Sequence, residues 1–535
     1  MKTIFASLLL VAGTAGAATV TIDGAQTYQT IEGFGVNANY RSWTNDDLEP
    51  VLDALIDQAG MTLFLVICPH ASNCEGTNDN SDPNVMNWTY YNSVYSGADF
   101  QRLWGMMAYL NQRGITNGLI PKFGGPGVPW MGGLSLTPGY ENELAEMLAS
   151  VLIYARDTQH LQFRMVSPLN EPDTVNTGIH LSGPSQYVTI LRDLGQQLDT
   201  NGLSDVRFSG PQLAYTDTSW LSTIMGDAYV MSKLDHFGLH HYINASSDST
   251  GVASFIQQSP YPDTPFWMSE FGLWCSSCVN GTSGNNTWTN AQGIVTSLVD
   301  NLGKGASAGL TFEGYDSMFG GNWSLWGLFA VDDRNAVPRT YTPRKQFYAI
   351  SQISRYVRPG AQRINVSGST SPLTLLAFYH SALGQLTLTG INTAGSAASL
   401  SGTLTSLPSV SSLELYYTDS SSNLRDDGPV SVTSGSFVAT IPADCVFTLV
   451  GTSSATGAPV IAQASLTDGG FILGASNGVP YRNCVVLGTT NVALPQPQWT
   501  PLATNTFGPN GDFDWTNTVA PVDRQRYLRL VMTTP

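Results

Sequence analysis

Two hydrophobic textures divide the chain. Between residues 33 and 344, short continuous apolar runs alternate with longer stretches whose apolar positions recur at helical spacing. The runs at 62–68, 118–123, 163–169, 206–210, 236–242, 265–270 and 309–313 show little polar alternation, as expected of strands covered on both faces in a parallel sheet. With 33–36 as the first, they make eight. The stretches at 44–59, 99–114, 140–158, 184–202 and 291–303 predict amphipathic helices between them. The fold class expected is therefore α/β, a (β/α)8 TIM barrel. A doubly wound sheet would call for a glycine-rich phosphate loop after its first strand, and none follows it.

After a last helix at 343–356 the texture changes. Residues 360–452 are rich in Ser, Thr, Val and Leu with closely spaced turn signals, and predict antiparallel strands at 374–379, 384–390, 412–417, 430–434 and 446–450. A strand pair predicted at 18–31 precedes the barrel and needs a partner, so an attached β-sandwich built from both chain ends is expected. The organisation read from the sequence is a signal peptide at 1–17, first sandwich strands at 18–32 and a catalytic barrel at 33–344. The last barrel helix and the rest of the sandwich follow at 345–452, then a linker and a small C-terminal β module at 453–535.

The opening segment sets the expected compartment. Lys2, an apolar run at 4–12 and the small residues Ala15, Gly16 and Ala17 have the layout of a secretory signal peptide. A secreted protein follows, in which disulfides can persist. The six cysteines allow fifteen pairings, and Cys68–Cys74 and Cys275–Cys278 are the short-loop candidates.

Only 12% of the 535 residues are charged, and 23 Lys and Arg against 40 Asp and Glu leave a net charge of −17. Such a surface is repelled by nucleic-acid phosphates and anionic membranes. A monomer with a neutral, polar partner is expected, and no cofactor is implied.

Two of the predicted strands end in Glu. The run 163–169 leads into Asn170-Glu171-Pro172, and 265–269 leads into Glu270-Phe271-Gly272. In a parallel barrel the chemistry gathers at the C-terminal ends of strands. Paired carboxylates there suit glycoside hydrolysis, in which one protonates the leaving oxygen and the other attacks or activates water.

The segments GFGVN (33–37), SPLNEPD (167–173), LHHY (239–242) and WMSEFG (267–272) resemble the clan A retaining glycoside hydrolases, most strongly those of family 30 and its relatives. The resemblance covers residues 18–452. It implies Glu171 as acid/base, Glu270 as nucleophile, Asn170 as a partner of the sugar 2-hydroxyl, and Tyr242 as a hydrogen-bond donor to the nucleophile. Glu171 must then hold a proton near the working pH while Glu270 stays ionised. Strand alternation places His236, Gly238, His240 and Tyr242 on one face, so His240 also reaches the site, whereas His241 is expected to be satisfied against helix or loop. Trp130, Trp274, Trp323 and Trp326 follow strand ends and are candidates to stack on sugars. Glu313 and Asp316 could bind a hydroxyl or form a structural pair.

Two departures qualify the resemblance. Relatives commonly carry an Arg near the end of the second strand, where this chain has Leu65, leaving Arg41 or His70 as substitutes. The eighth strand reads Phe312-Glu313-Gly314-Tyr315, without the expected Trp. The expected function is a secreted retaining β-glycoside hydrolase, endo-acting on a β-linked polysaccharide of the xylan, β-glucan or β-galactan type. The alternatives are a catalytically impaired barrel that binds carbohydrate and, from Cys68, His70 and Cys74, a metal-dependent hydrolase.

Overall fold

The computed structural model describes residues 17–44, 47–175, 177–243, 248–278, 286–319, 322–452, 459–467, 470–478, 483–508, 511–517 and 526–532. The predicted signal peptide up to residue 16 and most of the predicted linker, 453–458, lie outside the described residues.

Eight parallel strands form the central sheet: β2 (Gly33–Asn39), β3 (Leu63–Ile67), β4 (Leu119–Lys122), β5 (Met165–Val166), β6 (Arg207–Leu213), β7 (Leu234–Ile243), β8 (Phe266–Leu273) and β9 (Ala308–Thr311). Their order is β4-β3-β2-β9-β8-β7-β6-β5. A parallel bridge between Lys122 and Ser167 closes the circle. Every residue of β2, β3 and β4 is buried, which accounts for the unbroken apolar runs. Leu63, Leu65, Ile120, Met165, Trp267, Ala308 and Leu310 fill the interior as a separate apolar cluster. Gly35 is required where β2 meets β3, because a Cβ there would lie 1.7 Å from the Leu63 carbonyl oxygen.

Helices Glu49–Asp53, Ala98–Gln112, Glu141–Asp157, Pro184–Thr200 and Trp288–Gly303 fall within the predicted amphipathic stretches, apart from one to three N-terminal residues in two of them. The region 70–95, which the apolar pattern assigns to neither a strand nor a helix, contains the helix Trp88–Tyr95. Asn87 caps it by accepting from the Tyr90 backbone N–H at 3.2 Å, and Tyr91 and Tyr95, one turn apart, are both buried.

The second unit is a nine-stranded sheet that joins the predicted C-terminal strands to β1 (Ala17–Thr30). The segment 18–31 is one long strand and not a pair. Register irregularities between Asp23 and Thr30 bend it along its neighbour Gln362–Ser369 without a hairpin turn. On its other edge it pairs in parallel with Ala398–Thr405. Phe378, Ile391 and Val446 of this sheet belong to the same apolar core as the barrel helices. The buried Arg358 donates to the Gly60 carbonyl across the seam. Two three-stranded sheets between Val460 and Met532 form the C-terminal module.

Candidate active site

The strand ends bring Glu171 and Glu270 together. Both carboxylates are buried, and their nearest oxygens, with a nitrogen of His240, lie within 4.8 Å of one another. Glu171 follows β5 with a left-handed backbone (φ 44°), a conformation few non-glycine residues adopt. Its N–H donates to the Gln212 carbonyl at 2.9 Å, and Gln212 is itself left-handed (φ 62°). Two adjacent strand ends thus hold the carboxyl by backbone geometry that surrounding structure must enforce.

Glu270, on β8, is gripped from both sides. Lys122 Nζ donates to Oε2 at 2.6 Å, and the Tyr242 hydroxyl donates to Oε1. Lys122 also donates to Asn37 Oδ1 at 3.2 Å, while Asn37 Nδ2 donates to the Ser269 carbonyl at 3.2 Å. Burial alone would push the Glu270 carboxyl up. The Lys122 charge, followed by His240 and the Lys122 and Tyr242 hydrogen bonds, reverses this and holds it down at about 2. Burial, then the Glu270 charge, drives the Tyr242 phenol well above its ordinary range, so it remains a donor.

His240 joins the two carboxyls: Nδ1 is 2.9 Å from Glu171 Oε1 and 3.9 Å from Glu270 Oε2. Its Nε2 lies 3.1 Å from Gln212 Oε1. The Gln212 amide is oriented by its other contacts. Its Nε2 donates to Ser209 Oγ at 2.7 Å and to the Ser209 carbonyl at 3.3 Å, and Ser269 Oγ donates to Oε1 at 2.5 Å. An accepting Oε1 receives the Nε2–H of His240, and Nδ1 faces Glu171. Gly238 makes room for this network, since a Cβ there would stand 2.5 Å from Gln212 Nε2.

The cation on the nucleophile candidate is the principal residue that sequence reasoning missed. Leu65 is part of the apolar barrel interior. Arg41 instead donates to the Tyr40 hydroxyl at 3.0 Å, and the His70 ring lies against Gly125. Lys122 supplies the charge from β4, where it pairs in register with Ile67. A signal was present, because Lys122 is one of five lysines in the chain and interrupts an apolar run near its C-terminal end. Gln212 lay just past the predicted limit of its strand.

Asn170 Nδ2 donates to the Thr177 carbonyl at 3.2 Å, and its Oδ1 has no protein partner. Trp326 is 8% exposed and packs edge-on against Tyr242, Trp274 and Phe312. Trp274, 48% exposed, is the open indole of this group. Trp130 is tied by Nε1 to the Glu75 carbonyl at 3.0 Å, and Trp323 lies beneath Arg334 and Arg339. Glu313 is fully buried and accepts from Ser317 at 2.5 Å, and burial raises its carboxyl well above the usual range. Asp316 forms a bidentate buried pair with Arg344 at 2.6 and 2.8 Å. His241 is met by Asn301 at 2.8 Å, as expected. Of the short-loop cysteine pairs, Cys275–Cys278 is a disulfide, whereas Cys68 and Cys74 are free and buried. Glu171, His240 and Glu270 together could offer ligands to a metal, but the Lys122 ammonium already neutralises Glu270 and would repel a second cation.

A closed eight-stranded barrel, an attached sandwich containing the N-terminal strand, and two carboxyls facing each other at strand ends define the class of fold and site. No family model matches the chain. Among solved structures, it is similar to a glycoside hydrolase family 30 subfamily 8 xylanase from Clostridium acetobutylicum, at 18% identity and a TM-score of 0.62. The match covers 81% of this chain and 100% of that one. A family 30 endoxylanase from Clostridium papyrosolvens matches at 19% identity, 82% and 100% coverage and a TM-score of 0.62. An endo-β1,6-glucanase matches at 16% identity, 82% and 94% coverage and a TM-score of 0.57. The resemblance to clan A read from the motifs holds at the level of the fold.

Proposed function

We propose that the protein is a secreted retaining β-glycoside hydrolase, endo-acting on a β-linked polysaccharide of the xylan, β-glucan or β-galactan type. The observation that carries this reading is the approach of the Glu171 and Glu270 oxygens to within 4.8 Å. Retaining enzymes hold their carboxyls about 5–5.5 Å apart, whereas inverting enzymes leave about 6.5–9.5 Å to admit a water.

Glu270, ionised and aimed by Lys122 and Tyr242, attacks the anomeric carbon while Glu171 gives its proton to the leaving glycosidic oxygen. The products are a glycosyl ester on Glu270 and a free sugar end. Glu171, now a carboxylate, takes a proton from water as that water displaces Glu270, regenerating both groups. His240 Nδ1, 2.9 Å from Glu171 Oε1, and its Nε2 contact with Gln212 hold the acid/base carboxyl in place for the leaving group. Asn170 Oδ1 is the acceptor offered to a sugar hydroxyl, and Trp274 offers an open aromatic face.

Leu65 and the eighth strand without its Trp were the two reasons to consider a barrel without turnover; the Lys122 cation on Glu270 speaks against the first. The test is a panel of β-glycans with product sizing and proton NMR of the newly released anomer, run on the wild type and on Glu270→Gln. Retention with loss of hydrolysis in the variant is expected. Initial release of the inverted anomer, or full activity in Glu270→Gln, would overturn the assignment.

A further inference from the structure

Trp274 is the first residue beyond β8, four places after Glu270, and its own segment does little to keep an exposed indole still. Its N–H donates to the Ile243 carbonyl at 3.3 Å, which extends the β7–β8 ladder by one bond. The chain then enters the polar turn Cys275-Ser276-Ser277-Cys278, in which both serines are exposed and the Cys278 N–H donates to the Cys275 carbonyl at 3.1 Å. The disulfide Cys275–Cys278 closes this turn on itself. Its far end is anchored. Cys278 is buried, its carbonyl accepts from the Leu325 N–H at 3.1 Å, and it shares an apolar cluster with Tyr242 and Trp326. Trp274 meets Trp326 and Tyr242 with ring centroids 5.4 and 5.7 Å apart.

Among the described residues this is the only disulfide, and Cys68, Cys74, Cys445 and Cys484 are free. The cross-link therefore adjoins the open indole in sequence and packs in one cluster with the phenol that grips Glu270. A short polar turn buries too little to fix its own conformation, and a covalent closure removes the freedom that packing leaves. We infer that the Cys275–Cys278 disulfide is a positioning device for substrate binding, holding Trp274 as a fixed platform for a sugar ring on the nucleophile side of the cleft. The inference rests on the proposed reading of that cleft as a sugar site. An indole is a large, rigid apolar face, suited to the less polar face of a sugar. A platform already fixed loses little freedom when the sugar settles on it. An unbraced one must be ordered at each binding event, which weakens binding by about 2- to 10-fold. The disulfide touches no reacting atom, so the loss falls on ground and transition states alike and appears in KM, not in kcat.

The test uses the full-length protein, oxidised and reduced. Tris(carboxyethyl)phosphine breaks the S–S bond, taking an oxygen from water to become its oxide and leaving two thiols. Cys275 Sγ, 3.5 Å from the exposed Ser277 hydroxyl, lies within its reach. The double variant Cys275→Ser/Cys278→Ser gives the same open turn without reductant. The probes are xylohexaose, gentiohexaose and a β-galactan hexasaccharide. KM and kcat are measured on whichever is cleaved best, and Kd on Glu270→Gln by tryptophan fluorescence. Opening the turn should raise KM and Kd by about 2- to 10-fold and leave kcat within about twofold. In Trp274→Ala it should change neither, because the platform is already gone. Unchanged KM and Kd, a loss confined to kcat, an equal loss in Trp274→Ala, unfolding on reduction, or binding of none of the probes would overturn the inference. If the wild type cleaves no probe, yet Glu270→Gln binds one and loses affinity on reduction, the hydrolase reading fails and the brace stands.

Discussion

Replacing Lys122 by Met removes the ammonium 2.6 Å from Glu270 while keeping most of the side chain's volume. Lys122 supplies the largest of the influences that hold the Glu270 carboxyl down, against a burial effect that acts upward. An opposite charge at this range lowers a carboxylate pKa by about 1–3, which corresponds to about 1.4–4 kcal/mol between its two protonation states. The acid limb of the kcat/KM profile reports the free enzyme's essential base. In the wild type that limb should lie below the range in which the enzyme can be assayed. In Lys122→Met it should rise by about 1–3 pH units. With the full rise, only about one nucleophile in ten would be ionised at pH 4, and activity there relative to pH 6.5 would drop by about tenfold. Breaking a buried pair can itself cost about 3–5 kcal/mol of stability. The profile is therefore taken with the best-cleaved glycan of the panel, only where tryptophan fluorescence shows both proteins folded. An acid limb that stays put in a folded variant would refute the assignment of Lys122 as the charge that keeps Glu270 ionised.

Three further outcomes are expected. Tyr242→Phe removes a hydrogen bond to a charged group, worth about 1.5–3 kcal/mol, and should lower kcat/KM by about 10- to 150-fold with little change in melting temperature. Glu171→Ala should lose about 10²- to 10⁴-fold on substrates that need protonic help, and added azide should restore turnover on an activated aryl glycoside, giving the azide product with retained configuration. For Glu313, the folded pKa is raised above its ordinary 4.5. Between these two values the native state binds a proton that the unfolded state has released, so stability falls as pH rises through that window. Urea midpoints from pH 4 to 7 should therefore decline less steeply in Glu313→Gln than in the wild type.

The parts of this protein legible in its sequence are those where one residue's surroundings are uniform. A fully covered strand reads as an apolar run, so all eight barrel strands could be located, and Glu171 and Glu270 stood out as charges at the ends of two of them. The Lys122 contact was harder to read because it depends on register. A lysine at the end of β4 reaches a glutamate on β8, 148 residues later in sequence, only through the curvature of the closed barrel. Gln212 was missed because a left-handed residue near a strand end has no signature in hydrophobicity. Trp326 was one of four candidates to stack on sugars, and its neighbours Phe312 and Tyr242 leave it mostly enclosed. The helix at 88–95 was hidden by aromatic residues that favour strands locally yet bury one face when capped by Asn87.

The long N-terminal strand carries a consequence for the order of assembly. Tyr28 hydrogen-bonds Asn365 across 337 residues of chain, and Ile22 accepts from Thr405 across 383. A chain growing from its N-terminus therefore presents β1 with both edges bare until the whole barrel and part of the sandwich have emerged. Closing so long a loop is slow, and an unpaired strand is a template for association with other chains. Because only Ile31 and Glu32 separate β1 from the first barrel strand, shortening the N-terminus would leave the middle of the nine-stranded sheet open while the catalytic barrel remained intact. Expression yield, more than specific activity, is the quantity such a truncation should damage.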